Sequence, residues 1–254
     1  MFKKNTKLQT LTNWHLILFN FCSKKINILY FCTKHKLMSA KKVQTKPSIL
    51  TLYIESVLEH EKFPLSAYKF CKANSIDETE FYKEYASLDT VKHHIWQAFY
   101  DNTINLLHKN ENYSSMTRKD RLLVFYFTFF EVLLLNRSYV LFALKEHKNS
   151  MANLGQLKKL RSSFKSFASE LIEEGNDNKN LDITKNPIRI FSEASWVQLL
   201  FILKFWLDDT SPDFEKTDVA IEKSIAVAFE IFDNNQLDTI FDFGKFLWKE
   251  KFAN

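Results

Sequence analysis

Glycine and proline are scarce in this sequence. Only 3 glycines and 4 prolines occur among 254 residues. All-β folds need many tight turns, which these two residue types favour. The shortage therefore argues against an all-β fold and predicts an all-α chain of long helices joined by short polar links. The 25 phenylalanines indicate a core or pocket rich in aromatic surface.

Acidic residues are absent from residues 1–46, which contain ten lysines. Residues 47–254 hold 25 basic and 30 acidic residues, so the overall charge of +5 reflects the first segment alone. A mildly acidic remainder excludes a protein that binds nucleic acids by general positive charge. We expect residues 1–46 to form a basic, disordered tail.

The first 37 residues have the Phe, Lys, Asn, Ile and Leu content of translated AT-rich non-coding DNA. The apolar run 14–22 is too short to span a bilayer, and no small-residue cleavage site follows it. A signal or anchor is therefore the less favoured interpretation. We expect translation of the native protein to begin at Met38, which the intact mass of that protein would test.

Patterns for catalysis, metals and disulfides are also lacking. The 3 cysteines have neither zinc spacing nor the even number of a disulfide framework, which fits a reducing cytoplasm. There is no glycine-rich phosphate loop and no G-x-S-x-G motif. His93 and His94 are adjacent, so on a helix they diverge by about 100° and are expected to lie on a solvated face. We predict no catalytic site, no metal site and no cofactor.

Helical periodicity begins at Pro47, which suits a first helical turn. Ile49, Tyr53 and Val57 lie on one face of the first helix. Three polar residues have the positions of N-caps for the following helices, namely Ser66, Asp77 and Ser87. The inward face of the third helix is predicted to hold Phe81, Tyr85 and Leu88.

The segment "SIDETEFYKEYASLDTVKHHIW" (75–96) carries a family resemblance. Residues 49–100 resemble the N-terminal domain of the TetR family of bacterial regulators in helix order and in this segment. The matching features are Ser75 in the turn, the cap Asp77, the Phe81–Tyr82 pair, Tyr85, and a long helix from about Ser87. The resemblance implies a helix-turn-helix domain over 47–100 that binds double-stranded DNA. The residues it implies for DNA contact are Ser66, Lys69, Lys72, Thr79, Glu80, Tyr82 and Lys83.

Two departures from the family pattern affect that expectation. The family usually has glycine where Ser75 stands, because the turn favours positive φ, and we expect the adjacent Asn74 to take that conformation. The predicted recognition helix is also acidic. From Asp77 to Asp89 there are five carboxylates and one lysine, Lys83.

Residues 101–254 are predicted to form a helical ligand-binding and dimerisation domain. Residues 122–135 are apolar almost all round, as in a helix at the centre of a bundle. Amphipathic or apolar helices are expected over 154–175, 186–209, 213–234 and 236–250. By resemblance, the ligand pocket would include Phe125, Phe129, Phe142, Trp196, Leu200 and Phe205. The interface of a homodimer would include Ile225, Phe229, Phe232, Ile240, Phe243 and Leu247.

The resulting interpretation is a cytoplasmic, homodimeric TetR-like regulator that responds to an apolar small molecule or lipid. The alternative is a lipid- or isoprenoid-binding protein on the same fold that has lost DNA binding. The acidic third helix and the aromatic C-terminal half favour the alternative.

Overall fold

A computed structural model describes residues 47–146, 153–177 and 185–233. Over these ranges the chain is helical and has no β-strand, which confirms the all-α fold. The helices are α1 (Ile49–His60), α2 (Ala67–Ala73), α3 (Glu78–Glu84), α4 (Leu88–His108), α5 (Arg118–Leu134), α6 (Arg137–Ala143), α7 (Lys158–Asp177), α8 (Ile188–Asp208) and α9 (Glu215–Asp233).

The described residues from 48 to 233 form one compact unit. The domain boundary expected at residues 100–101 falls inside α4, which runs without a break from Leu88 to His108. The helix-turn-helix segment and the rest of the described chain therefore share one continuous helix.

The N-terminal helices begin at polar caps. The side chain of Ser66 accepts a hydrogen bond from the backbone N–H of Lys69, and that of Asp77 accepts one from Thr79. Ser87 caps α4 through the N–H of Thr90. These three caps confirm the sequence predictions, since a side-chain oxygen at this position satisfies an otherwise unpaired donor of the first turn.

Three local predictions were wrong. Ser48 caps α1, so Pro47 precedes the helix instead of lying in its first turn. The helix α3 ends at Glu84, because Tyr85 is extended (φ −135°), and Leu88 belongs to α4. Ser75 itself takes the left-handed conformation (φ 54°). Asn74 stays at φ −103° and donates its side-chain amide to the carbonyl of Phe70.

The core is centred on α5 and α7. Helix α7 packs against α4, α5 and α8, while α5 also packs against α4 and α9. The rings of Phe125, Tyr126 and Phe164 are fully buried here, as expected from the apolar run 122–135. The Trp96 Nε1–H donates to Gln156 Oε1 at 2.9 Å, which joins α4 to the turn before α7.

By its length and apolar composition, helix α8 could cross a bilayer. Helices α5 and α6 meet the same criteria if the bent pair is counted as one span. However, α8 is buried along one face. Its buried side chains recur at spacings of three and four residues, at Trp196, Leu199, Ile202, Leu203 and Trp206. This spacing is typical of a helix that packs on one side against a protein, here against α7.

Candidate functional site

The predicted DNA-contacting residues share one exposed surface on α2 and α3. Ser66, Lys69 and Lys72 are exposed at the start and on the outer side of α2. On α3 the exposed residues are Thr79, Glu80, Tyr82 and Lys83. None of these side chains is needed to fill the core, so the surface is available to a partner.

Phe81 fixes the orientation of this surface. Its ring is fully buried, and its centroid lies 6.2 Å from that of Phe70 and 5.3 Å from that of Tyr82. Successive side chains of a helix are about 100° apart, so Thr79 and Lys83 point away from Phe81. Two turns of α3 thus present a short polar ridge.

The charge of this region is unfavourable for DNA. Residues 48–108 contain nine carboxylates and five lysines, and residues 1–117 contain no arginine. One of these carboxylates stabilises the start of a helix. The N–H of Thr79 donates to Asp77 at 2.6 Å, and this bond lowers the pKa of Asp77. Asp77 is therefore a charged helix cap, whereas Glu80 projects from the exposed ridge.

Two adjacent histidines connect this region to α7. Tyr85, which ends α3, packs edge-on against His94 with centroids 5.1 Å apart. His94 Nδ1 lies 2.8 Å from the carbonyl of Thr90, and Lys159 Nζ donates to His94 Nε2 at 2.5 Å. Both histidines are half-buried, so the prediction of a solvated face was wrong. Burial lowers the pKa of His93, and the nearby Lys158, Lys159 and His94 lower it further against the opposing effect of Asp89.

The six predicted pocket residues do not converge on one cavity. Phe125 and Phe129 are fully buried and stacked, with centroids 5.7 Å apart. Trp196 reaches the same cluster through Phe164, and Leu200 is half-buried beside it on α8. Phe142 instead lies in a groove with Phe63, and Phe205 lies in a groove between α8 and α9. The shared apolar character of these six residues did not indicate their separate locations.

The predicted dimer-interface residues divide between the interior and segments outside the described residues. Ile225 is fully buried and Phe232 nearly so, and both pack within the protomer. Phe229 is half-buried, near the guanidinium of Arg118. Ile240, Phe243 and Leu247 lie outside the described residues. Because α9 packs against α5 and α8, the side of α9 that carries Ile225 and Phe232 faces the interior of the protomer.

The sequence reasoning missed an exposed apolar stripe, which we call the α8–α9 face. On α8 it consists of Ile190, Ala194, Val197 and Phe201, and on α9 of Val219 and Val227, which flank the exposed Lys223. Val197 is 62% exposed and Phe201 60% exposed. The spacing of three and four residues on α8 was a usable signal, but apolar residues on the buried side obscured it.

Metal ligands are not clustered in the ranges 47–146, 153–177 and 185–233, where no group of three His, Cys, Asp or Glu side chains could hold an ion.

Comparisons with known proteins identify the family. A family model described as the tetracyclin repressor-like C-terminal domain matches residues 121–247, which is half of the chain. A solved structure of a TetR-family member from Streptomyces coelicolor A3 matches 75% of this chain and 92% of its own, with 13% identity and a TM-score of 0.34. No curated protein matches the sequence. On the strength of the family model, the chain belongs to the TetR family of transcriptional regulators.

Proposed function

We propose that this regulator binds double-stranded DNA through the ridge of α3 and releases it in response to an apolar ligand. The observation that carries the proposal is the joint exposure of Thr79, Tyr82 and Lys83 on a helix anchored by Phe81. A helix presented in this way can lie in the major groove. Family membership makes the cytoplasm the expected location.

Each residue of the ridge has a distinct proposed role. Lys83 would pair with a phosphate or with the acceptor edge of guanine, and the Tyr82 hydroxyl would donate to a phosphate oxygen. Thr79 would contact a base edge. Glu80 would accept from the amino group of cytosine, which adds sequence preference and lowers general affinity. Lys69 and Lys72 on α2 would hold the flanking backbone.

Two copies of the ridge are needed because one copy offers few positive charges. We propose that the α8–α9 face joins two protomers into a homodimer. Burying Val197, Phe201, Val219 and Val227 against the same residues of a second copy would form a bundle of four helices. Each ridge would then reach one half-site, about one DNA turn from the other.

The proposed effector site lies among the aromatic rings of α5, α7 and α8. Phe125, Phe129 and Trp196 surround this region together with Phe164. The hydroxyl of Tyr126 is fully buried there and has no hydrogen-bond partner in the described part of the chain. An apolar ligand with one hydrogen-bond acceptor would satisfy this hydroxyl. Its binding would favour the arrangement of the two protomers that accommodates the ligand.

Fluorescence anisotropy of the full chain against fragments of its own genome tests the DNA role. Saturable binding that selects one fragment and persists at moderate salt supports it. Lys83→Ala should then weaken that complex, whereas Lys119→Ala, an exposed lysine at the start of α5, should not. Weak binding that is equal on all fragments and abolished by salt would reflect the basic tail and would contradict the proposal.

The second candidate is a lipid- or isoprenoid-binding protein that uses the aromatic region without DNA. The nine carboxylates of residues 48–108 favour it, since they repel phosphates. Mass spectrometry of extracts from the purified protein would detect a bound lipid. A bound lipid together with absent DNA selectivity would establish this candidate over the first.

A further inference from the structure

His94 on α4 contacts both the end of α3 and the start of α7. Its ring packs edge-on against Tyr85, with centroids 5.1 Å apart. Its Nε2 atom lies 2.5 Å from Lys159 Nζ, in the first turn of α7. Both His94 and Lys159 are half-buried, so the contact between them is partly shielded from water. Burial raises the pKa of the Tyr85 phenol, so Tyr85 stays uncharged at neutral and acidic pH.

The hydrogen bonds of His94 define which of its ring nitrogens carries a proton. Nδ1 lies 2.8 Å from the carbonyl oxygen of Thr90. A carbonyl oxygen can only accept, so Nδ1 carries the proton and donates it. The Lys159 ammonium has donors only, so Nε2 is the unprotonated acceptor. The ring is therefore neutral in this arrangement, and both of its nitrogens are engaged.

Protonation of the ring is incompatible with the contact to Lys159. A proton on Nε2 would leave two cationic donors facing each other without an acceptor between them. The other charged or titratable groups around the two histidines are His93 and Asp89 on α4 and Lys158 on α7. Within the described ranges, no side chain of α1 or α5 forms a hydrogen bond or an ion pair with His94. Protonation would therefore separate His94 from Lys159.

We propose that His94 positions the end of α3 relative to α7, and that it does so only while its ring is neutral. Acidification breaks the hydrogen bond to Lys159 and lets the imidazole turn away from Tyr85. Tyr85 directly follows α3, and its ring also packs on Phe81, which orients the exposed ridge. The ridge is then held less firmly against the rest of the protein.

Helix α7 extends this link to the proposed effector site. Phe164 and Phe167 on α7 pack against Phe125, with centroids 5.3 Å and 4.8 Å away. The same helix thus contacts the aromatic region along its length and His94 at its first turn. The effect on DNA rests on the proposed function, because it requires the ridge to bind DNA. The link itself does not.

Nuclear magnetic resonance of the full chain, with labelled histidine and tyrosine, tests the link without DNA. The ¹⁵N shift of each ring nitrogen shows whether that nitrogen carries a proton, and His94→Gln identifies the His94 signals among the 7 histidines. At pH 7.5 we expect a proton on Nδ1 alone and cross-peaks between the rings of His94 and Tyr85. At pH 5.5 the ring should be doubly protonated and the cross-peaks weakened. Circular dichroism would verify that the helices persist at the lower pH.

Two lysine variants separate the hydrogen bond from general charge. Lys159→Met removes the donor and keeps an apolar side chain of similar length, so the cross-peaks to Tyr85 should weaken even at pH 7.5. Lys158→Met is the matched control, because it removes an adjacent, exposed ammonium. It should leave the cross-peaks as in the wild type.

The effect on DNA would be measured by fluorescence anisotropy with the selected fragment at the same two pH values. Between pH 7.5 and pH 5.5 the wild type should lose about three- to tenfold more affinity than His94→Gln, as for the loss of one hydrogen bond. Glutamine does not titrate, and its Oε1 can still accept from Lys159. Other effects of pH on DNA binding are shared by the two proteins and cancel in the comparison.

Several results would overturn the proposal. They are a proton on Nε2 of His94 at pH 7.5, cross-peaks to Tyr85 that persist unchanged at pH 5.5, equal effects of Lys158→Met and Lys159→Met, and an equal loss of DNA affinity in the wild type and His94→Gln. A protein that selects no DNA fragment would contradict the proposed function alone, and the magnetic resonance results would still decide whether the link exists.

Discussion

Asp209 accepts two hydrogen bonds from Thr217, one from the backbone N–H at 2.9 Å and one from the hydroxyl at 2.6 Å. Ser211 donates to the same carboxylate through its own N–H and hydroxyl. Burial alone would raise the pKa of Asp209, but these four hydrogen bonds outweigh it and lower the pKa to about 2. The charged carboxylate thereby fixes the turn that sets α9 against α8.

Replacing Asp209 by alanine should destabilise the protein by about 1.5–3 kcal/mol at pH 7, because several buried donors lose a charged acceptor. The folded-state pKa lies below the unfolded value of about 3.9, so this contribution is complete above pH 4 and is lost as the pH falls towards 2. Urea unfolding of both proteins over this pH range would measure it. Asp208→Ala, which removes an exposed carboxylate paired with Lys204, should change stability little.

The sequence predicted those features that depend on neighbouring residues. Caps such as Ser66 and Asp77 act over two or three residues, and the apolar run 122–135 requires a buried helix whatever its partners are. Features set by tertiary packing were missed. Tyr85 has the spacing of a helical core residue after Phe81, yet it leaves the helix and packs against His94. Ile225 and Val227 are both apolar residues of α9, and only the packing of α9 against its neighbours decides which one is exposed.

Gly175 lies inside α7, where alanine would ordinarily stabilise a helix by about 0.5–1 kcal/mol. Here a Cβ atom would overlap the guanidinium of Arg118 and come within 2.7 Å of Phe232 Cε1. Arg118 is held against the Phe232 ring, 4.9 Å from its centroid, so it has little room to move. We expect Gly175→Ala to destabilise the protein by about 1–3 kcal/mol.

Thermal unfolding would measure that change, with Gly155→Ala as the matched control. Among the described residues, apart from its chain neighbours, no atom lies within 4 Å of a Cβ built at Gly155. A melting temperature for Gly175→Ala equal to or above that of the wild type would show that Arg118 can move away, and the packing argument would then be wrong.

His93 should make the stability of the protein depend on pH below neutrality. Burial lowers the pKa of His93 below its usual value, and Lys158, Lys159 and His94 add to this effect against Asp89. The unfolded chain therefore binds this proton more readily than the folded chain. Stability contributed by the neutral ring is complete above pH of about 6.5 and declines as the pH falls below that value.

Denaturant unfolding of the wild type and His93→Gln at pH 7.5 and pH 5.5 would isolate this contribution. The wild type should lose more stability between the two pH values than the variant does, because glutamine does not titrate. His60→Gln is the control, since His60 is exposed at the end of α1. An equal loss in His93→Gln and the wild type would show that other groups cause the dependence.

The proposed homodimer requires the α8–α9 face to be buried between two protomers. Phe201 and Val227 are 60% and 55% exposed, so a glutamate at either position is tolerated in an isolated protomer. In a dimer the carboxylate of that glutamate would be buried without a charged or hydrogen-bonding partner. We expect Phe201→Glu and Val227→Glu to convert the dimer to monomers in sedimentation experiments without loss of helical circular dichroism. Leu65→Glu, at an exposed apolar residue remote from this face in the sequence, should leave the dimer intact. Dimers that persist in both face variants would place the interface elsewhere, and the spacing of the two α3 ridges would then have to be set by other residues.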